Sequence, residues 1–132
     1  MPSEPIWLSV GDLVKLNRDL VADTGEPHRV LKPDDLESAC ERPRWLWHYD
    51  GVQDVVVLAA RLLFAVADAH AFIQGNKRTG FVAAVMFLQA NGWALDPSLD
   101  SDELGDAIID VLCDRTSEAS FCDWISDFIE PA

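Results

Sequence analysis

Apolar and polar positions follow a helical period along most of this chain. Ser9 with Asp12 three residues on has the form of a capping box, and Leu13, Leu16, Leu20 and Val21 follow at helical spacing. Thr24-Gly25-Glu26-Pro27 closes that element with turn-forming residues. A short second helix is expected from Asp34 to Arg42, after Pro33 and halted before Pro43, because proline turns the residue before it away from helix. Arg44 to Gly51 is aromatic and irregular, and reads either as a loop laying its rings on the core or as a ligand-stacking surface. From Asp54 to Ala69 the chain is apolar almost all round, with Val55, Val56, Val57, Leu58, Leu62, Leu63, Phe64 and Val66. A helix without a polar face is a central, buried one. The valine run alone would also suit a strand; its length and Ala-Leu-rich continuation favour helix.

A further helix is expected from near Asn76 through Phe81, Val82, Val85, Met86, Phe87 and Leu88, stopped by Asn91-Gly92. Trp93-Ala94-Leu95 reads as a short extended link. Two more amphipathic helices follow, about Ser101 to Cys113 and Ser120 to Ile129, each opening on a serine with acidic neighbours. The expected fold is an all-α compact bundle of about six helices around a central buried one, a single domain over residues 1–132. A chain of this length buries a core without disulfides or a structural metal.

Charge narrows the function. Ten Lys and Arg stand against 23 Asp and Glu, a net charge of −13. So acidic a surface repels a phosphate backbone, which argues against nucleic-acid binding. It suits a basic protein partner, or simply keeps the protein soluble. Cys40, Cys113 and Cys122 are an odd number at scattered spacing, a poor disulfide or zinc pattern. Cys113 and Cys122 lie among apolar helical residues and read as buried free thiols. No apolar run approaches the roughly 20 residues of a membrane span, and Met1 to Pro5 lacks the start of a secretory signal. A cytoplasmic protein without a membrane segment is expected.

One segment breaks the apolar pattern: His70-Ala71-Phe72-Ile73-Gln74-Gly75-Asn76-Lys77-Arg78-Thr79, between the two most apolar helices. A glycine before a helix start leaves backbone N–H groups without intrahelical partners. Those amides and the helix dipole attract an anion, and Lys77 and Arg78 add positive charge in the same turn. Gly75 would let the backbone approach a phosphate, and Phe72 would anchor the loop on the core. Lys77 and Arg78 also have a reading as solvated helix residues, over which the physics modestly favours a phosphate cradle. His70 suits proton transfer near neutrality, and suits a helix C-terminal cap as well.

The same string resembles the signature of the Fic/Doc superfamily, His-x-Phe-x-Asp/Glu-Gly-Asn, continued by Gly-x-Arg in typical Fic proteins and by Lys-Arg in the Doc branch. Lys77-Arg78-Thr79 has the Doc form. Leu36-Glu37-Ser38-Ala39-Cys40-Glu41-Arg42-Pro43 is similar to a Leu-Glu-Ser-Ala-x-x-Arg-Pro segment upstream in Doc-like proteins, and Phe87 to Gly92 to the helix end after the motif. The resemblance implies the Fic/Doc fold and the toxin half of a bacterial toxin–antitoxin pair, neutralised by a cognate antitoxin. It implies transfer of the ATP γ-phosphate to a Ser or Thr hydroxyl of a protein substrate of the translation elongation factor type. His70 would be the catalytic general base and Phe72 the loop anchor. Gly75, Asn76, Lys77 and Arg78 would hold phosphates, with ATP and Mg²⁺ as cofactors.

Gln74 occupies the motif's acidic, metal-holding position, so the metal site would lack a charge there and activity would be attenuated unless another carboxylate such as Asp68 serves. The second motif Arg of Fic enzymes falls at Phe81. The alternatives are a Fic-type nucleotidyl (AMP) transferase and a catalytically inactive phosphate- or peptide-binding module. No Ser/Thr-x-x-x-Glu-Gly/Asn segment of the self-inhibiting kind occurs.

Overall fold

A computed structural model describes residues 3–132. Met1 and Pro2, which begin the segment read for a secretory leader, lie outside the described residues. Six helices form the body: α1 (Val10–Asp23), α2 (Pro33–Asp50), α3 (Val55–Ala69), α4 (Asn76–Ala90), α5 (Ser101–Leu112) and α6 (Glu118–Ser126). Two short strands, β1 (Trp93–Leu95) and β2 (Ile129–Pro131), complete the fold.

The apolar run makes α3 the centre of the molecule. Leu58, Leu62, Phe64 and Val66 are 0–1% exposed, and α3 packs between α2 and α4. The approach to α4 is close enough to require glycine: a Cβ on Gly80 would lie 2.5 Å from the Leu63 carbonyl oxygen. Phe64 meets Phe121 of α6 edge-on at 5.2 Å between ring centroids, and Trp7 stacks on Phe87 at 5.7 Å. The expected capping box is present, with Ser9 Oγ accepting from Asp12 N and Asp12 accepting from Ser9 N.

Three expectations are corrected. The second helix does not stop before Pro43 but runs to Asp50, taking in the aromatic segment, and ends on Gly51 with φ 67°. An interior proline costs about 3 kcal/mol. Here the apolar stripe Leu36, Ala39, Cys40 and Pro43 is buried and continues into Leu46 and Trp47 against the core, which offsets that cost. Trp45 and Tyr49 of this segment are exposed. Second, the extended residues 93–95 are not a mere link but a paired strand: β1 runs antiparallel to β2, Ala94 opposite Glu130, so the last helix ends at Ser126 rather than Ile129. Third, the N-caps of α5 and α6 are Asp100 and Ser117, whose side chains accept from the first-turn amides. Among the described residues no helix is long and apolar enough to cross a membrane.

Candidate active site

The site is built where the chain leaves α3 and enters α4. His70 caps α3 in the left-handed region, φ 47° and ψ 40°, which turns the chain sharply off the helix axis. A non-glycine residue is held there only when its surroundings fix it, and they do. Ala71 to Ile73 runs extended against residues 29–32: Leu31 N donates to Ala71 O at 2.7 Å and Ile73 N to Arg29 O at 3.0 Å. Val30 and Phe72 form a β-bridge, with Phe72 only 2% exposed.

Asn76 locks the turn from the other side. Its side-chain oxygen accepts from Phe72 N at 3.0 Å, and its amide donates to Phe72 O at 2.9 Å. Gly75 takes φ 76°, and a Cβ there would meet Val21 Cγ1 at 3.0 Å and Asn17 Nδ2 at 3.2 Å, so the backbone rests directly on α1.

Beneath this turn lies a buried polar network that the sequence pattern does not announce. Asn17 is 0% exposed; its Nδ2 donates to Gln74 O at 2.8 Å and to Thr79 Oγ1 at 3.0 Å. Its oxygen lies 2.8 Å from His28 Nδ1. Because both amide hydrogens are already used, His28 is the donor, as the Nδ1–H tautomer. The signal available was Asn17 itself, a polar residue one turn after Leu13 and one turn before Val21, on the seam that packs inward.

The result is a groove of about 450 Å³ lined by Asp68, His70, Ile73, Gln74, Gly75, Asn76, Lys77 and Arg78, closed on the far side by Ile109, Leu112 and Cys113 of α5. All the expected site residues except Phe72 line it, and Phe72 sits beneath. Cys113 is exposed here, a correction to the buried thiol expected. It lies one residue past the last turn of α5, at the helix C-cap, where its neighbours no longer enclose it. Past Ile109 the wall continues as an apolar groove of about 300 Å³ lined by Phe81, Leu104, Gly105 and Ile108.

Helices α1, α3, α5 and α6 each have a side chain accepting from their first-turn amides; α2 and α4 do not, and of these two α2 carries Asp34 and Asp35 in its first turn whereas α4 has no acidic residue there. Lys77 and Arg78 occupy that turn instead, against the preference of the helix dipole. Uncapped amides and cations at one helix start are the features that attract an anion. Among the described residues no carboxylate lies within 4.0 Å of Lys77. Arg78 is tied down: its guanidinium pairs with Glu26 and donates to Thr24 Oγ1 at 3.3 Å. Hydrogen bonds from Thr24 and Arg78 hold the Glu26 carboxyl below the usual range. Among the described residues, Asp68 is the one carboxylate lining the groove.

Residues 7–88 match the family model described as Fic/DOC family. The chain is 36% identical over 89 residues to Toxin Doc of Mycolicibacterium smegmatis (strain ATCC 700084 / mc(2)155), covering 64% of this chain and 68% of that protein. It is 28% identical over 116 residues to Protein kinase doc of Escherichia phage P1, covering 88% of this chain and 90% of that protein.

Proposed function

The chain belongs to the Fic/DOC family, and from that premise we propose that it is a Doc-like toxin, held by a cognate antitoxin, that transfers the γ-phosphate of ATP to a Ser or Thr hydroxyl of a protein substrate. The observation that carries this reading is the start of α4: uncapped, free of acidic residues and bearing Lys77 without an internal partner, in the same groove as His70. Amides, Lys77 and Arg78 suit a triphosphate, and the apolar groove past Ile109 suits its base. The two relatives bear the printed names Toxin Doc and Protein kinase doc.

In this mechanism the acceptor hydroxyl gives its proton to the His70 imidazole as its oxygen bonds to the γ-phosphorus. The bond to the bridging oxygen breaks, and ADP leaves with that oxygen. The residues fit Mg²⁺ at the level of one carboxylate, Asp68, and one amide oxygen, Gln74, because this ion commonly takes one or two carboxylates and completes its shell with phosphate oxygens and water. Bound there it would neutralise phosphate charge. The role of Asn76 narrows: both ends of its side chain are spent on Phe72, so it contributes shape and a backbone amide.

The test is expression of wild type, His70→Ala and Gln74→Asp in bacteria, followed by incubation of each purified protein with γ- or α-labelled ATP and lysate. The reading expects growth arrest and γ-label on a lysate protein, falling by about 10²-fold or more in His70→Ala and rising in Gln74→Asp. Transfer of the α-label instead identifies a nucleotidyl transferase. ATP binding without either label, in wild type and Gln74→Asp alike, identifies a binding module.

A further inference from the structure

A second groove adjoins the first. It holds about 500 Å³ between α2 and α3 and is lined by Lys32, Asp35, Ser38, Arg42, Arg61 and Asp68. Asp68 lines both grooves, and Ala69 of the second is followed directly by His70 of the first, so the two grooves adjoin at the end of α3. Asp35, Ser38 and Arg42 stand on one face of α2 at helical spacing, the polar side of the segment whose Leu36, Ala39, Cys40 and Pro43 are buried. The buried side explains packing; the polar side has no task in the fold or in the nucleotide site.

Two of its three cations are available. Among the described residues, neither Lys32 nor Arg42 has a carboxylate within 4.0 Å, although the chain holds 23 Asp and Glu. Arg42 lies over the Trp45 ring at 5.7 Å, which supports its guanidinium without using its hydrogen-bond donors. Arg61 pairs through Nη1 with Glu118 at 3.2 Å, but its buried Nε has no acceptor. A buried donor left unpaired is costly, and Arg61, already paired with Glu118, is not one of the free cations. Asp35 and Asp68 also line the groove without ion pairs, so it discriminates by position rather than by a uniform field.

We propose that the α2–α3 groove is the docking site for an acidic segment of the protein substrate, Lys32 and Arg42 receiving carboxylates that flank the hydroxyl presented to His70. The assignment of that hydroxyl rests on the transferase reading above; the binding of the acidic segment does not. The occupant follows from continuity with the catalytic groove and from unpaired cations in an otherwise acidic molecule.

The test is fluorescence anisotropy with a short labelled peptide carrying a central threonine and flanking Glu residues, against the same peptide with Gln. Wild type and His70→Ala are expected to bind the Glu peptide alike, about tenfold more tightly than the Gln peptide. The double variant Lys32→Ala/Arg42→Ala loses that preference, and Arg42→Glu reverses it toward a Lys peptide, with circular dichroism reporting the fold of each. Equal binding of the Glu and Gln peptides, or an undiminished preference in the folded double variant, overturns the proposal even if wild type transfers label. The expected preference with no label transferred from ATP leaves the groove standing and removes the transferase reading.

Discussion

Burial raises the Cys40 thiol to about 11, with neighbouring Glu41 adding to the shift, and raises Cys122 to about 11 by the same desolvation. Cys113 stands exposed in the wall of the groove. Since the thiolate is the reactive form, a disulfide reagent at pH 8 should titrate one thiol in the native protein and all three in denaturant, Cys113 reacting about 10²-fold faster than the others. Three equal rates in the native state would refute this packing. Glu26 offers a pH test with a definite sign. Its folded pKa is depressed, so the stabilisation it gains from Thr24 and Arg78 is full above its unfolded value near 4.5 and is lost as pH falls through the lower folded value. In urea titrations wild type should exceed Glu26→Gln in stability at pH 7, and the difference should shrink below pH 4.5 toward the folded pKa; a gap constant with pH would contradict it. At this scale the lining of the groove was legible and its support was not. His70, Lys77 and Arg78 declare themselves by interrupting an apolar stretch. Thr79 and His28 acquire their roles only through Asn17, a contact 62 residues away for one and 11 for the other.

Between α3 and α4 the governing quantity is backbone distance. Gly80 admits no Cβ because the Leu63 carbonyl oxygen would stand 2.5 Å from it, and a backbone atom cannot swing aside as a side chain can. Gly105, in the interior of α5, has nothing within 4 Å of the same position. The two Gly→Ala substitutions should therefore differ in sign: Gly80→Ala destabilises by about 1–3 kcal/mol through overpacking, whereas Gly105→Ala stabilises by about 0.5–1 kcal/mol through reduced chain entropy. Chemical denaturation of the pair decides it, and a Gly80→Ala protein as stable as wild type would mean that α3 and α4 are not so tightly apposed. The helices themselves were readable because their signals are local: Ser9 with Asp12, the apolar sweep of α3, Asn91-Gly92. Pro43 misled because a local rule met a tertiary one, the apolar stripe of α2 continuing through it. Trp93–Leu95 read correctly as extended, but its pairing was hidden because the partner lies at Ile129–Pro131, beyond two intervening helices.

Across the whole molecule, 23 acidic groups surround a helix start stripped of acidic residues. The global charge and the local site thus oppose each other, and only their placement in space separates them. A net charge of −13 argues against a polyanion-binding surface yet says nothing about the first turn of α4 and the groove beside it, because composition averages over the surface. The same excess predicts how the fold responds to salt. Four Lys/Arg–carboxylate pairs are formed among the described residues, Arg44–Glu41, Arg61–Glu118, Arg78–Glu26 and Arg115–Asp110, and all are partly exposed, so each is worth about 1 kcal/mol or less. Most carboxylates are left to repel one another over distances comparable with the Debye length, about 10 Å at 0.1 M ionic strength and about 30 Å at 0.01 M. Raising monovalent salt from 0.01 to 0.2 M should therefore screen more repulsion than attraction and raise the Tm by several degrees, about 4 °C for each kcal/mol gained in a domain of this size. Scanning calorimetry at constant pH measures it directly. A Tm that falls with salt would mean that the few ion pairs outweigh the repulsion, and that the acidic surface is locally compensated rather than held under strain.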